Sequence, residues 1–146
     1  MKRTHFSSIL MVFILGINAT INAQSIKVKV QNITQRQGVI HVGLCNSSED
    51  FTEGKDTFKE LTTKVGPTGE IEVVFNSIPK GKYAIRLYQD TDNSGDLTTN
   101  IIGIPKEPFG FSNNPRTQFG PPTFSDASFD LKSDIILTVN LKQINL

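Results

Sequence analysis

The sequence predicts an all-β domain, an antiparallel β-sandwich with one long Pro- and Gly-rich loop. Three observations point there. Several short segments alternate apolar and polar residues, which is the period of a half-buried strand;. Turn-forming clusters such as GPTG (66–69) and PKG (79–81) separate them;. Beyond the apolar start of the chain, no window of helical length carries a 3.6-residue apolar repeat;.

The elements follow in order. In SIKVKVQNI (25–33), Ile26, Val28 and Val30 alternate with Lys27, Lys29 and Gln31, giving one buried and one wet face;. GVIHVGLC (38–45) is apolar on both faces, which suits a central strand;. The stretch from Glu49 to Lys64 reads equally as a helical turn or as a loop with an edge strand. EIEVVF (70–75) alternates again. After the turn at Pro79 and Gly81, Tyr83, Ile85 and Leu87 alternate with Ala84, Arg86 and Tyr88;. SFDL (128–131) reads as a short strand leading into SDIILTVNL (133–141), whose Ile135, Leu137, Val139 and Leu141 share a face. Six to eight short strands separated by turns make a sandwich the expected architecture;.

Residues 98–126 break this rhythm. They hold five of the seven prolines and no periodicity, yet carry Ile101, Ile102, Ile104, Phe109, Phe111, Phe119 and Phe124. So many apolar side chains argue against disorder and for an Ω-type loop packed over one end of the sandwich.

The N-terminus has a different character. Lys2 and Arg3 precede the apolar run ILMVFILGI (9–17), and Ala23 stands where a small residue precedes a cleavage site. That order is the pattern of a secretory signal peptide over residues 1–23, leaving one domain over 24–146;. The apolar run is nine residues, far short of the about 20 that span a bilayer. The expected location is extracytoplasmic, periplasmic or secreted. Removing Lys2 and Arg3 leaves 13 basic residues against 14 acidic ones, so no basic footprint for nucleic acid or anionic membrane remains;. Cys45 is the single cysteine, which excludes an intrachain disulfide, and its apolar setting makes it a buried small hydrophobe;.

The run IPKGKYAIRLYQDTDNSGDLTTNIIGIPKEPFGFSNN (78–114), followed by FGPPTFSDASF (119–129), resembles the bacterial family catalogued as Domain of Unknown Function 2141. The match is dense over about fifty residues, and the flanking strands agree in placement. The resemblance implies an exported β-sandwich, immunoglobulin-like or transthyretin-like, similar also to carboxypeptidase-regulatory-like modules in which a strand followed by PxGxY recurs. It implies no activity. Family members often carry a His before the first Asp of the acidic turn; here that place is Gln89.

Two candidate sites follow from the residues. QDTDNSGDL (89–97) places Asp90, Asp92, Ser94 and Asp96 at alternate positions, with Gly95 where a calcium loop of the D-x-[DN]-x-[DN]-G kind turns sharply;. Its second half departs from that pattern. Position 12 is Ile101 rather than a bidentate Glu, so a Ca2+ ion needs oxygens from water, carbonyls or a distant Glu107 or Asp126;. Such a site binds weakly, at about 10⁻⁴ to 10⁻³ M. The competing reading is a polar turn held by Asx hydrogen bonds, against which stands the mutual repulsion of three aspartates. The second candidate is a ligand surface on the long loop (103–116), formed by Lys106, Glu107, Phe109, Phe111, Asn113, Asn114 and Arg116. It would take a small molecule, a glycan or a protein partner; its competitor is a loop whose aromatics cap the core. His41 would be the only histidine left after cleavage, and no Ser–His or Cys–His pair is suggested, so the chain is expected not to be an enzyme;.

Overall fold

Alternation in the first strand turns directly into a buried and a wet face. The computed structural model describes residues 23–54, 57–117 and 120–144; residues 1–22, most of the expected signal peptide, lie outside them, as does Phe119. Strand β1 (Gln24–Gln31) buries Ile26, Val28 and Val30 completely. β2 (Val39–Cys45) follows, then helix α1 (Ser48–Glu53) and β3 (Lys59–Lys64). Both readings of the 49–64 stretch are therefore realised, one after the other. Ser47 caps α1 by accepting from the Asp50 N–H, and Gly54 ends it at φ 71°;. β4 (Ile71–Ile78) and β5 (Gly81–Asp90) are joined by the short turn at Pro79 and Lys80 and lie in different sheets.

The long segment is not wholly irregular. It contains β6 (Phe109–Phe111) and helix α2 (Phe124–Ala127), and leads into β7 (Ser128–Leu131) and β8 (Ile135–Asn140). Asp126, a candidate distant ligand, closes the capping box of α2 with Thr123 instead;.

Two sheets pack face to face. One has the order β4–β1–β8; the other runs β3–β2–β5, with β7 beside Gly81–Ala84 and β6 beside Arg86–Tyr88 on the same edge of β5. β2 is central, as its two apolar faces require;. β1 and β8 run parallel, and the other strand ladders are antiparallel. A parallel pair needs a long crossover, and here the rest of the domain is that connection.

The core lies between the sheets, around Phe75, Ile26, Ile40, Leu44, Ile78, Ile85 and Leu131. A smaller cluster of Cys45, Phe51, Ala84 and Ala127 sits beneath the two helices. Burial pushes the Cys45 thiol up to about 11, against the nearby Arg86 charge, so it stays protonated and unreactive;.

The FGFSNN stretch (109–114) joins the sheets along one side. Phe109 exchanges backbone hydrogen bonds with Lys142 at 2.9 and 2.8 Å. The Asn114 amide donates to Thr138 O and accepts from the Asn140 N–H, standing in for a neighbouring strand on the edge of β8;. The buried Ser112 hydroxyl accepts from the Ile85 N–H and donates to Ala127 O.

Candidate metal centre

β5 ends by delivering Asp90 to the outer side of its sheet, where loops cover it until 1% of it is exposed. Gly38 makes this possible. Its φ is 78°, and a Cβ there would stand 2.0 Å from the Asp90 carbonyl oxygen, so no other residue fits beside the strand end;. Beyond Asp90 the chain curls through Asn93 (φ 55°) and Gly95 (φ 90°). The curl turns two backbone donors inward. Ser94 N–H reaches Asp90 Oδ1 at 3.0 Å and Asp92 Oδ1 at 3.1 Å, while Gly95 N–H reaches Asp90 Oδ2 at 2.9 Å. The Tyr88 hydroxyl pins the same turn by donating to Gly95 O.

A second segment closes over this curl. Residues 98–107 double back, with a Thr99–Pro105 bridge and an Asn100 side chain that accepts from the Ile102 and Ile104 N–H groups. The return places Glu107, 4% exposed, against the aspartates. Its Oε1 accepts from the Thr91 N–H at 2.8 Å and the Thr91 hydroxyl at 3.1 Å; Oε2 accepts from the Thr98 N–H at 3.0 Å. One carboxylate oxygen from each of Asp90, Asp92 and Glu107 then lies within 4.8 Å of the others.

Three carboxylates at that distance make a strongly negative point. Burial raises the Asp90 carboxyl, but the Gly95 and Ser94 N–H groups that donate to it, with the His41 ring beside it, outweigh burial, and the carboxyl titrates below its ordinary value;. Asp90 therefore stays ionised at neutral pH. Tyr88 registers the same field: its phenol is pushed up to about 12 by burial, reinforced by the charges of Asp90, Glu60, Asp96 and Glu107. His41 stacks on Tyr88 with ring centroids 4.8 Å apart and lies with Nε2 3.8 Å from Asp90 Oδ2. Its Nδ1 faces Glu60 and Thr62.

A family model matches residues 28–136, most of the chain and all of this site. The chain belongs to the DUF2141 family, uncharacterised proteins conserved in bacteria. No curated protein and no solved structure matches it. The resemblance in the 78–114 run is thereby confirmed, and within this DUF2141 domain that run builds both the acidic curl and its cover.

Of the residues expected to ligate, Asp90 and Asp92 meet, and Glu107 joins them. Ser94 contributes its N–H to both aspartates, and its hydroxyl donates to Asp96 O. Asp96 stands outside the three-carboxylate group. Of the ligand-surface candidates, Phe109 and Phe111 line one groove; Lys106, Glu107, Asn113, Asn114 and Arg116 do not. Phe109 is buried and Phe111 packs on Phe51, Asn113 ties to Asp126 O and Ser128 O, and Asn114 holds β8. Lys106 and Arg116 are exposed. His41 was missed as a neighbour of the site. Its outward face was readable from strand alternation, but its pairing with Tyr88 across β2 and β5 was not.

Proposed function

We propose that this DUF2141 chain is an exported, non-catalytic binding or structural module whose acidic centre takes Ca2+, fastening the 91–107 segment to the sandwich. The observation that carries the reading is Glu107, drawn from 17 residues beyond Asp90 to supply the carboxylate that the local loop lacks. Three carboxylate donors, the buried, ionised Asp90 among them, suit Ca2+, which completes six to eight oxygens at about 2.3–2.6 Å with carbonyls and water;. Each Asp90 oxygen accepts one N–H and keeps a second lone pair for a cation;.

A catalytic reading has less support. A general acid or base works best with a pKa near the operating pH, whereas Asp90 is lowered away from neutrality. Cys45 is buried and raised to about 11. Among the described residues no helix is long and apolar enough to cross a membrane.

The test is a titration of chelator-stripped protein with Ca2+, read by calorimetry. One-to-one binding at about 10⁻⁴ to 10⁻³ M, lost in Glu107→Gln and Asp92→Asn, is the expected result. Absence of saturable binding in the unmutated protein refutes the metal reading.

A further inference from the structure

Two large apolar side chains stand in water at the tip of the 98–107 return. Ile101 is wholly exposed and Ile102 is 70% exposed. They occupy the two central positions of a tight turn, which the Gly103 N–H closes by donating to Asn100 O at 3.0 Å. Such positions ordinarily go to Gly, Pro, Asn, Asp or Ser. Neither turn chemistry nor the core accounts for a pair of isoleucines there.

Asn100 shapes the turn without them. Its Oδ1 accepts from the Ile102 N–H at 3.0 Å and the Ile104 N–H at 2.9 Å, and its own N–H donates to Ile104 O at 2.8 Å. The Thr99–Pro105 bridge and the bond from the Lys106 N–H to Thr98 O hold the stem. The tip therefore keeps one shape, and docking it costs little ordering. The N–H groups of Asn100, Ile102, Gly103 and Ile104 are already paired within the tip, so they carry no unmet donor into an apolar medium;.

The surrounding charge agrees. Between Asp96 and Glu107 the one charged residue is Lys106, exposed at the foot of the stem. A lysine there reaches a lipid phosphate while its methylenes cover apolar surface. A stable protein interface takes about 20–30 residues from each partner, whereas this tip offers two large apolar side chains. A bilayer needs no matching surface, only apolar side chains that reach its interface.

We propose that the 100–103 turn docks the protein on a phospholipid bilayer, with Ile101 and Ile102 in the acyl boundary and Lys106 at the phosphates. The inference stands apart from the metal centre and is tested in chelator. The chain has no tryptophan, so Ile102→Trp gives a single reporter. Its emission should shift to the blue on adding vesicles of phosphatidylcholine and phosphatidylglycerol. Half-saturation is expected at about 1–10 mM lipid, weaker than the about 10⁴ M⁻¹ of one myristoyl chain. Ile136→Trp, at an exposed position of β8 in the other sheet, should not shift. Unmutated protein should float with the same vesicles. The double variant Ile101→Ser, Ile102→Ser should bind at least about tenfold more weakly, the factor that burial of even one isoleucine supplies. Both side chains are exposed, so this variant should melt with its parent. An equal shift for both tryptophans, unaltered flotation of the double variant, or no flotation of the unmutated protein overturns the inference.

Discussion

Asp92→Asn separates a metal centre from a plain turn more sharply than any other substitution. Asp92 is exposed and holds one hydrogen bond, from the Ser94 N–H to Oδ1. An asparagine oxygen keeps that bond. What changes is charge, because Asp92 stands within 4.8 Å of both Asp90 and Glu107. At that distance each like-charge pair costs about 1 kcal/mol in a water-like dielectric and several-fold more in a drier one. The variant should therefore be more stable than the unmutated protein in chelator, by about 1–2 kcal/mol. Calcium reverses the order. With a dissociation constant of about 10⁻⁴ to 10⁻³ M, about 10 mM Ca2+ stabilises the folded state by about 1.4–2.7 kcal/mol. Asp92→Asn forfeits most of that gain. Thermal unfolding of both proteins, with chelator and with Ca2+, gives four midpoints. The reasoning requires the variant to melt higher by a few degrees in chelator, and the unmutated protein to gain more from Ca2+. A variant less stable than its parent in chelator, or an equal calcium response in both, refutes it.

Other expectations follow from the same structure. Ser112→Ala strands the buried Ile85 N–H and should cost about 1–3 kcal/mol in urea unfolding;; a loss under about 0.5 kcal/mol would show that its bonds do not hold β5 to the 112 turn. Phe75→Ala empties the centre of the core and should cost about 3–5 kcal/mol by the same method;. Ultraviolet titration of the phenols should show one inflection at about 12, from Tyr88, above the ordinary 10.0. Because that pKa is raised on folding, the linked stability is present below pH 10.0 and lost as pH climbs towards about 12;. Ca2+ should move the inflection down by neutralising the carboxylates; no movement would place the ion elsewhere. Asp90 has the opposite sign. Its carboxyl is lowered, so its contribution is present at neutral pH and disappears as acid reaches the folded-state pKa;.

The strands were legible wherever one face is buried. Ile26, Val28 and Val30 state their own periodicity, as do Tyr83, Ile85 and Leu87. β6 was not, because it is three residues, FGF, inside a proline-rich stretch whose order depends on pairing with β5. Nor does any local pattern announce that β8 lies parallel to β1, a contact between the two ends of the domain. The site divides in the same way. Asp90, Asp92 and Gly95 carry a spacing that can be read, and with Ile101 at the closing position the further oxygen was sought at a distance, where the structure brings Glu107 beside the two aspartates. Which oxygen fills it depends on the 98–107 return, and that is tertiary: Asp126 was an equal candidate until α2 claimed it as a cap.

A crystal structure of the protein grown in Ca2+ tests the central claim most directly. The account predicts one ion bounded by Asp90, Asp92 and Glu107, with six to eight oxygens at about 2.3–2.6 Å. Water alone between those carboxylates at millimolar Ca2+, or an ion held elsewhere, would contradict it.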